Sequence, residues 1–245
     1  MNNQMTKLVE IILPFTPIKL IGNEMCAITA RPSMGKTTYA LNLIKENSFV
    51  LDNKKCLAYF VGNNKRKVEA HPDYKSLSTR DHINLQWTSF GREDGFIFDV
   101  KRDVRKFNPE YIVIDGFEKL FKRYESDLKL MPEVDILLSD LRLLSDERKM
   151  PIIIATHVLS TAEMRISPPR PALCDLGSNT LETTADIILG LNSLYYYGYE
   201  LNSNLEDITN TMELYQLKPW RFELEPYQFL TDKKTGMFSP KEQKG

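Results

Sequence analysis

The segment Met25–Leu43 constrains the fold of this chain more than any other. An apolar run, Met25–Ala30, leads through the polar turn Arg31–Gly35 into Lys36 and Thr37, and apolar residues then recur at helical spacing. This order predicts a β-strand, a tight loop and a helix whose first turn carries Gly-Lys-Thr. Such a loop presents backbone N–H groups and a helix N-terminus to phosphate, the lysine reaches the β- and γ-oxygens, and the threonine hydroxyl helps to hold Mg²⁺.

The expected phosphate contacts form one continuous stretch of the loop and of the helix behind it. They are Arg31, Pro32, Ser33, Met34, Gly35, Lys36, Thr37 and Thr38. Ala30 stands where the motif GxxxxGK[ST] has its first glycine, and Gly-Lys-Thr alone recurs by chance, so an ordinary strand, turn and helix with a surface lysine is the alternative. The strand, the helical spacing and the distant partner residues described below favour phosphate binding.

Composition favours a globular protein in a reducing compartment. With 245 residues, of which 42% are hydrophobic and 27% charged, the chain suffices for one α/β domain with a full core. A net charge of −1 argues against a globally basic nucleic-acid binder but leaves a local basic patch open. The cysteines, Cys26, Cys56 and Cys174, lack disulfide or zinc spacing, and no apolar run predicts a membrane span or a signal peptide. We therefore expect a cytoplasmic protein with no membrane partner.

Strands and helices alternate along the chain, and this predicts an α/β fold with a mostly parallel sheet flanked by helices. Strands are predicted at Met25–Ala30, Cys56–Val61, Ile83–Phe90, Tyr111–Phe117 and Pro151–His157, and helices after the phosphate loop and at Gly95–Phe107 and Glu133–Glu147. Antiparallel C-terminal edge strands are predicted at Met212–Leu217, Arg221–Glu225 and Gln228–Leu230, with a tight turn at Asp232–Gly236. Leu159–Asn179 is predicted to be a long functional loop. Residues 1–17 are expected to be a short N-terminal segment, a candidate interface element, and residues 18–245 one domain.

Two polar side chains are predicted at the carboxyl ends of buried strands, where open α/β sheets bind their ligands. Asp115 would orient Mg²⁺ beside Thr37, although a strand-end aspartate is also a common turn former. His157 would sense a γ-phosphate or serve only the structure. Lys218 and Arg221 lie between late strands, where a cation could cross a subunit interface and stabilise transition-state charge; two exposed basic residues are the alternative.

Several segments together resemble the C-terminal, RecA-like motor domain of DnaB-type replicative helicases, the hexameric ring motors of bacteria and phages. ARPSMGKTTYALNL resembles the family's phosphate loop, in which alanine commonly takes the place of the first glycine, as Ala30 does here. YIVIDGFEKL resembles the second nucleotide motif, and PIIIATHVLS resembles the sensor strand, with His157 where the family has Gln or His. RPALCDLGSNTLETTADIILGL resembles the DNA-facing loop, and LKPWRF and FLTDKKTGMF resemble the finger strand and the terminal hairpin. The likeness runs from about Ile18 to Phe238.

The resemblance implies a RecA-like ATPase that uses ATP and Mg²⁺ and acts on single-stranded DNA. It further implies a homo-oligomer, in the family a hexameric ring, and other replication proteins as partners, here those of a phage or mobile element. Lys36 and Asp115 would be catalytic with His157 as sensor, and Thr37 and Asp115 would hold the metal. The residues that it implies for DNA binding are Arg165, Arg170, Gly177, Ser178 and Asn179.

One departure from the family pattern concerns catalysis. The family's catalytic glutamate, which activates the attacking water, lies at the end of the strand after the loop helix. Here that strand ends in YFVGNN and offers Gly62, Asn63 or Asn64, none of which carries a carboxylate. Hydrolysis is then expected to be slower by a factor of about 10²–10⁴, unless Glu118, three residues beyond the strand-end aspartate, acts as the base instead.

Other departures concern DNA and subunit contacts. The DNA-facing loop has Gly-Ser-Asn in place of a charged pair, so backbone amides would bind the phosphates. The finger residues Lys218 and Arg221 have the spacing Lys-x-x-Arg, whereas the family has Lys-x-Arg. The family's N-terminal domain is not expected, and its linker helix, which docks on the next subunit, is reduced at most to Met5–Leu13.

The sequence therefore predicts a motor that couples ATP hydrolysis to movement along single-stranded DNA, or to its unwinding, in replication. A nucleotide-gated DNA-binding or adaptor protein that has lost hydrolysis is the first alternative, because the expected carboxylate is missing. A P-loop kinase that acts on a small molecule is the remote alternative. Its arginine-bearing lid would be Leu159–Asn179, but the C-terminal strands do not suit that class.

Overall fold

The structure, a computed structural model, describes residues 8–50, 53–62, 65–89, 91–121, 132–159, 170–176, 178–202, 204–219, 226–232 and 234–241. Its strands are β1 (Glu10–Ile12), β2 (Lys19–Ile21), β3 (Met25–Ala30), β4 (Cys56–Val61), β5 (Ile83–Thr88), β6 (Tyr111–Asp115), β7 (Ile152–His157), β8 (Ile187–Asn192), β9 (Thr211–Lys218), β10 (Tyr227–Thr231) and β11 (Phe238–Pro240). Its helices are α1 (Lys36–Lys45), α2 (Lys65–Glu69), α3 (Pro72–Leu77), α4 (Glu93–Phe107), α5 (Pro132–Arg148) and α6 (Asn179–Thr184).

One large sheet organises the described residues. It has nine strands in the order β11-β10-β9-β8-β3-β7-β6-β4-β5. The strands from β8 to β5 in this order run parallel, whereas β9, β10 and β11 are antiparallel to their neighbours. The predicted fold class, a mostly parallel sheet with antiparallel C-terminal edge strands, is confirmed.

The central strands are mostly apolar because helices cover both faces of the sheet. Every residue of β3 and β4 is buried. One face packs against α1, which contributes Tyr39 and Leu43 to the core. The other face packs against α4 and α5, which contribute Val100 and Leu138. Because these strands run parallel, their carboxyl ends all lie at one edge of the sheet.

The N-terminal residues form a small hairpin outside the main sheet. β1 and β2 pair antiparallel, from Glu10 opposite Ile21 to Ile12 opposite Lys19. Ile11 is fully buried in the same core as α1. Because the hairpin contains residues from both sides of position 17, the division of the chain at that position stays a prediction.

Most predicted elements that the structure describes are found close to their predicted bounds. β6 ends at Asp115, two residues before its predicted end, because Gly116 has a φ of 83° and opens a 3₁₀ turn over Phe117–Leu120. The predicted loop Leu159–Asn179 contains a 3₁₀ turn, Leu173–Asp175, in its described part. The predicted strand Arg221–Glu225 lies outside the described residues. No helix in the described ranges is long and apolar enough to cross a membrane.

Candidate active site

A cleft of about 1120 Å³ opens at the carboxyl edge of the parallel strands. The loop between β3 and α1, Asp115 at the end of β6 and His157 at the end of β7 line one end of it. The register places Ala30 opposite His157 and Asp115 opposite Ala155, so the three strands end side by side. The residues that the sequence singles out on separate segments are therefore brought to one place.

The loop turns tightly around the ammonium group of Lys36. Ser33 and Gly35 have φ angles of 64° and 80°, both in the left-handed region. The Lys36 Nζ donates hydrogen bonds to the carbonyls of Ala30 at 2.9 Å and Arg31 at 3.0 Å. The lysine thus closes the loop on itself and holds its backbone curved around the position that a phosphate would take.

Burial dominates the electrostatics of Lys36. The residue is 7% exposed. Burial lowers the pKa of its ammonium group to about 8, while the nearby carboxylates of Glu118 and Asp115 raise it. The site therefore holds a positive charge at neutral pH that has lost most of its water and would be stabilised by an anion.

Thr37 and Asp115 form the second part of the site. The Thr37 hydroxyl donates to Asp115 Oδ2 at 2.6 Å, and Asp115 is 2% exposed. A hydroxyl and a carboxylate at this distance are the oxygen ligands that Mg²⁺ takes when phosphates and water complete its coordination. Within the described residues, no group of three or more His, Cys, Asp or Glu side chains is placed to hold a metal ion without other ligands. The donor set therefore suits a metal that arrives with a phosphate ligand.

His157 and Glu118 form the third part of the site. The backbone N–H of His157 donates to Glu118 Oε2 at 3.2 Å, and the His157 Nε2 lies 3.2 Å from Glu118 Oε1. Burial lowers the pKa of the His157 imidazole to about 3, and the charges of Lys36, Lys119 and Arg31 add to this effect. The imidazole is therefore neutral at physiological pH.

β4 is the strand at whose end the resemblance implies a catalytic glutamate, and its described end carries no carboxylate. β4 is followed by Gly62, whose N–H donates to the carbonyl of Thr88 at 2.9 Å. Asn63 and Asn64 lie outside the described residues. Glu118, by contrast, lines the cleft and is 1% exposed, a placement that the sequence left open.

The cleft is also lined by residues that the sequence analysis did not single out. They include His71, Pro72, Tyr195, Tyr196, Thr235, Gly236 and Phe238. The His71 Nδ1 accepts a hydrogen bond from the N–H of Asp73 at 3.3 Å, and its buried Nε2 has no hydrogen-bond partner among the described residues. Tyr195 and Tyr196 are 40% and 52% exposed. The run Tyr195–Tyr197 was the signal available in the sequence, since exposed aromatic rings beside a phosphate site can stack on a base.

The structure describes three of the five residues predicted to bind DNA. Arg170 lies 3.5 Å from the buried carboxylate of Glu213 and stacks over the ring of Tyr215 at 5.1 Å. Ser178 caps α6 by accepting a hydrogen bond from the N–H of Leu181 at 3.2 Å, and Asn179 is exposed in the first turn of that helix. The predicted contacts Arg165 and Gly177 lie outside the described residues. Of the predicted DNA contacts that the structure describes, Arg170, Ser178 and Asn179, none lines the cleft.

Lys218, the predicted finger residue that the structure describes, lies away from the phosphate loop of its own chain. The Lys218 Nζ donates to the carbonyls of Glu182 at 2.6 Å and Ala185 at 2.7 Å, at the C-terminus of α6. Lys218 pairs with Ile188 near the amino end of β8, the opposite edge of the sheet from the phosphate loop. Arg221 lies outside the described residues. The Lys218 ammonium group is therefore used within its own chain.

The fold and the site define the class of this protein. Its sheet, with a phosphate-binding type of loop after a central strand, has the RecA-like P-loop architecture. A solved ATPase domain superposes with a TM-score of 0.69 at 22% identity, over 90% of this chain and 85% of that domain. A KaiC-like protein from the archaeon Pyrococcus horikoshii superposes with a TM-score of 0.60 at 17% identity, over 90% and 91% of the two chains. These likenesses establish the fold.

The more particular resemblance is to DnaB-like replicative helicases, as the sequence predicts. The chain is 24% identical over 215 residues to the replicative DNA helicase DnaB of Haemophilus influenzae, a match that covers 76% of this chain and 44% of that protein. A DnaB-like replicative helicase, solved in a study of its interactions with primase, superposes with a TM-score of 0.68 at 22% identity, over 90% of this chain and 58% of that one. No protein-family model matches the chain. The chain thus spans less than half the length of the curated relative.

Proposed function

We propose that this chain is an ATP-hydrolysing motor domain of the DnaB-like kind, which couples ATP turnover to movement along single-stranded DNA. The observation that carries the proposal is the convergence of Lys36, Thr37, Asp115 and His157 at one edge of the sheet, with 2.6 Å between the Thr37 hydroxyl and the Asp115 carboxylate. These side chains come from two strands and one helix, and a structural role alone does not require them to meet.

Each group has a separate task in the proposed site. The backbone N–H groups of the loop 31–35 and the N-terminus of α1 would bind the phosphates, and the Lys36 ammonium group would neutralise the β- and γ-oxygens. Thr37 and Asp115 would hold Mg²⁺, which, when bound, withdraws charge from the same oxygens. The neutral imidazole of His157 would donate a hydrogen bond to the γ-phosphate. Tyr195, Tyr196 and His71, which also line the cleft, would accommodate the nucleoside.

The coupling to DNA and the assembly into a ring belong to the proposal. They are supported by the resemblance of the chain to a replicative DNA helicase over 215 residues. The expected partners are therefore single-stranded DNA, other copies of the chain and other replication proteins.

Steady-state ATP hydrolysis with and without single-stranded DNA tests this proposal, with Lys36→Ala as the blank. Turnover above the blank that DNA stimulates is the expected result, because phosphate binding depends on the buried ammonium group. A wild-type chain that neither binds nor hydrolyses ATP would contradict the proposal. The matched control is Lys149→Ala, which removes an exposed lysine outside the cleft and should leave turnover unchanged.

A second function, nucleotide-gated DNA binding without turnover, is favoured by one observation. Gly62 ends β4 without a side chain, so the described end of this strand supplies no base. This alternative predicts that the wild-type chain binds ATP and responds to it, for example by tighter DNA binding, while hydrolysis stays at the level of Lys36→Ala. Equilibrium binding of a fluorescent ATP analogue beside the hydrolysis assay separates the two functions.

A further inference from the structure

We infer that Glu118 is the base that activates the attacking water in this chain, held in place by His157. The inference rests on the proposed function and deepens it, since it assigns the proton acceptor of the same site. Among the described residues that line the cleft, the carboxylates are Asp115, Glu118 and Glu200. Asp115 accepts the hydrogen bond of Thr37, and the side chain of Glu200 is exposed. Glu118 is therefore the carboxylate at the phosphate end that the metal site does not use.

The backbone around Glu118 turns its carboxylate inward. Gly116, with a φ of 83°, ends β6 and starts the 3₁₀ turn in which Glu118 lies. A Cβ at Gly116 would stand 2.7 Å from the carbonyl oxygen of Val61, so glycine is needed for this close approach to β4. The turn thereby carries the side chain of Glu118 back under the strand ends, where it is 1% exposed.

The two carboxylate oxygens of Glu118 have different surroundings. Oε2 accepts the backbone N–H of His157 at 3.2 Å. Oε1 lies 3.2 Å from the His157 Nε2 without hydrogen-bond geometry and has no hydrogen-bond partner among the described residues, although it is buried. A buried carboxylate oxygen without a donor is costly unless a proton or a donor is supplied. An attacking water would supply that donor, while the other oxygen keeps the group in place.

The electrostatic surroundings of the Glu118 carboxylate also suit a general base. Burial raises the pKa of the Glu118 carboxyl above its ordinary value, and the charge of Lys36 limits this rise. A carboxylate whose proton affinity is raised by burial is a better acceptor than one in water. His157, neutral and in contact with both oxygens, is the group that positions it.

The proposed step balances as a hydrolysis. The water oxygen forms a bond to the γ-phosphorus while the bond from that phosphorus to the β,γ-bridging oxygen breaks, and the electron pair of the broken bond leaves with ADP. The water proton passes to Glu118 Oε1 and is released to solvent after inorganic phosphate leaves. No oxidant, reductant or further reactant is needed.

The isosteric variant Glu118→Gln tests the inference. Its amide can still accept the N–H of His157 but cannot accept a proton, so DNA-stimulated ATP turnover is expected to fall by about 10²–10⁴-fold. Binding of a fluorescent ATP analogue is expected to stay within about threefold of the wild type. Glu118→Gly should regain turnover when sodium formate is added, because the small carboxylate can occupy the space left by the side chain.

Controls separate this inference from the proposed function. Glu147→Gln makes the same change at an exposed position of α5 and should leave turnover at the wild-type level. If Glu118→Gln hydrolyses ATP at the wild-type rate while Lys36→Ala does not, the chain is an ATPase but Glu118 is not its base. If the wild-type chain itself shows no turnover above Lys36→Ala, the inference is overturned as well, and retained ATP binding would then favour the nucleotide-gated function.

Discussion

The ammonium group of Lys36 lies buried against two loop carbonyls, and burial lowers its pKa from 10.5 to about 8. Bound phosphate would restore the higher value, so nucleotide binding above pH 8 would take up one proton. Affinity is therefore constant below the lower pKa and falls above it, and we expect it to be about tenfold weaker at pH 9 than at pH 7.

Isothermal titration calorimetry in two buffers with different ionisation enthalpies measures this proton directly. About one proton should be taken up for each nucleotide at pH 9, and about none at pH 6.5. Lys149→Gln, which changes an exposed lysine outside the cleft, should show the same dependence. An affinity that stays level from pH 7 to pH 9 would show that the lysine keeps its ordinary pKa.

The contact between Thr37 and Asp115 leads to a prediction about metal dependence. Asp115→Asn keeps the shape of the side chain and removes one charge from the proposed metal site. The Mg²⁺ concentration at half-maximal turnover is expected to rise, and turnover at saturating Mg²⁺ to fall by about 10²–10³-fold. The matched control is Asp140→Asn on α5, where the carboxylate faces Lys101 at 3.1 Å and not the cleft. An unchanged Mg²⁺ midpoint in Asp115→Asn would exclude the metal role.

Among the elements, the C-terminal hairpin of β10 and β11 packs against the phosphate loop. A Cβ at Gly35 would lie 2.6 Å from Cζ of Phe238, which is held in an aromatic cluster with Phe15 and Phe229. Gly198 has a similar φ, 86°, but nothing lies within 4 Å of a Cβ built there. Both glycines therefore have a left-handed backbone conformation, but only Gly35 lies against another side chain, that of Phe238.

Gly198→Ala and Gly35→Ala therefore separate backbone strain from steric clash. We expect Gly198→Ala to lower the free energy of unfolding by about 1–2 kcal/mol, the cost of a left-handed alanine. Gly35→Ala should lower it by a further 1–3 kcal/mol, roughly the cost of overpacking, and abolish nucleotide binding. Urea denaturation of both variants gives the comparison. Equal losses would mean that the hairpin does not press on the loop, and Phe238→Leu combined with Gly35→Ala should recover part of the difference.

At the level of strands and helices the fold was largely predictable, because its central strands are mostly apolar runs. β3 and β4 have the predicted bounds, Met25–Ala30 and Cys56–Val61, since burial on both faces leaves only Thr29 and Tyr59 with a polar group on the side chain. The hairpin of β1 and β2 was not predicted, because strands of three residues carry too little pattern. The order of strands in the sheet was also beyond the sequence, since it depends on contacts between distant segments.

The candidate site, like the fold, was predictable from the sequence only in part. Lys36, Thr37 and Asp115 follow from short motifs whose spacing is local, and the structure brings them together. The inward orientation of Glu118 could not be predicted, because it depends on a 3₁₀ turn and on the approach of Gly116 to the neighbouring strand. The cap that Lys218 forms on α6 was hidden for a related reason, as its acceptors lie more than 30 residues away in the chain.

For the whole molecule, the geometry separates the phosphate loop from the end of β9. The loop follows β3 at the carboxyl edge of the parallel strands, whereas Lys218 lies beside the amino end of β8. We predict that a charge carried by the segment after β9 acts on the site of another copy. Since Lys218 binds carbonyls of its own chain, Arg221 is the residue to test for this role.

Mixing two inactive variants tests action between subunits. Arg221→Ala chains keep an intact phosphate site, and Lys36→Ala chains keep an intact finger, so a complete site forms where the first meets the second. In a random equimolar ring such contacts make up about a quarter of the interfaces, and DNA-stimulated turnover near a quarter of the wild-type value is expected. In the control mixture, Lys218→Met chains replace the Arg221→Ala chains. Mixing should not restore turnover there, because the loss of the Lys218 ammonium group destabilises α6 within the same chain. A mixture no more active than its separate components would show that Arg221 does not act across subunits.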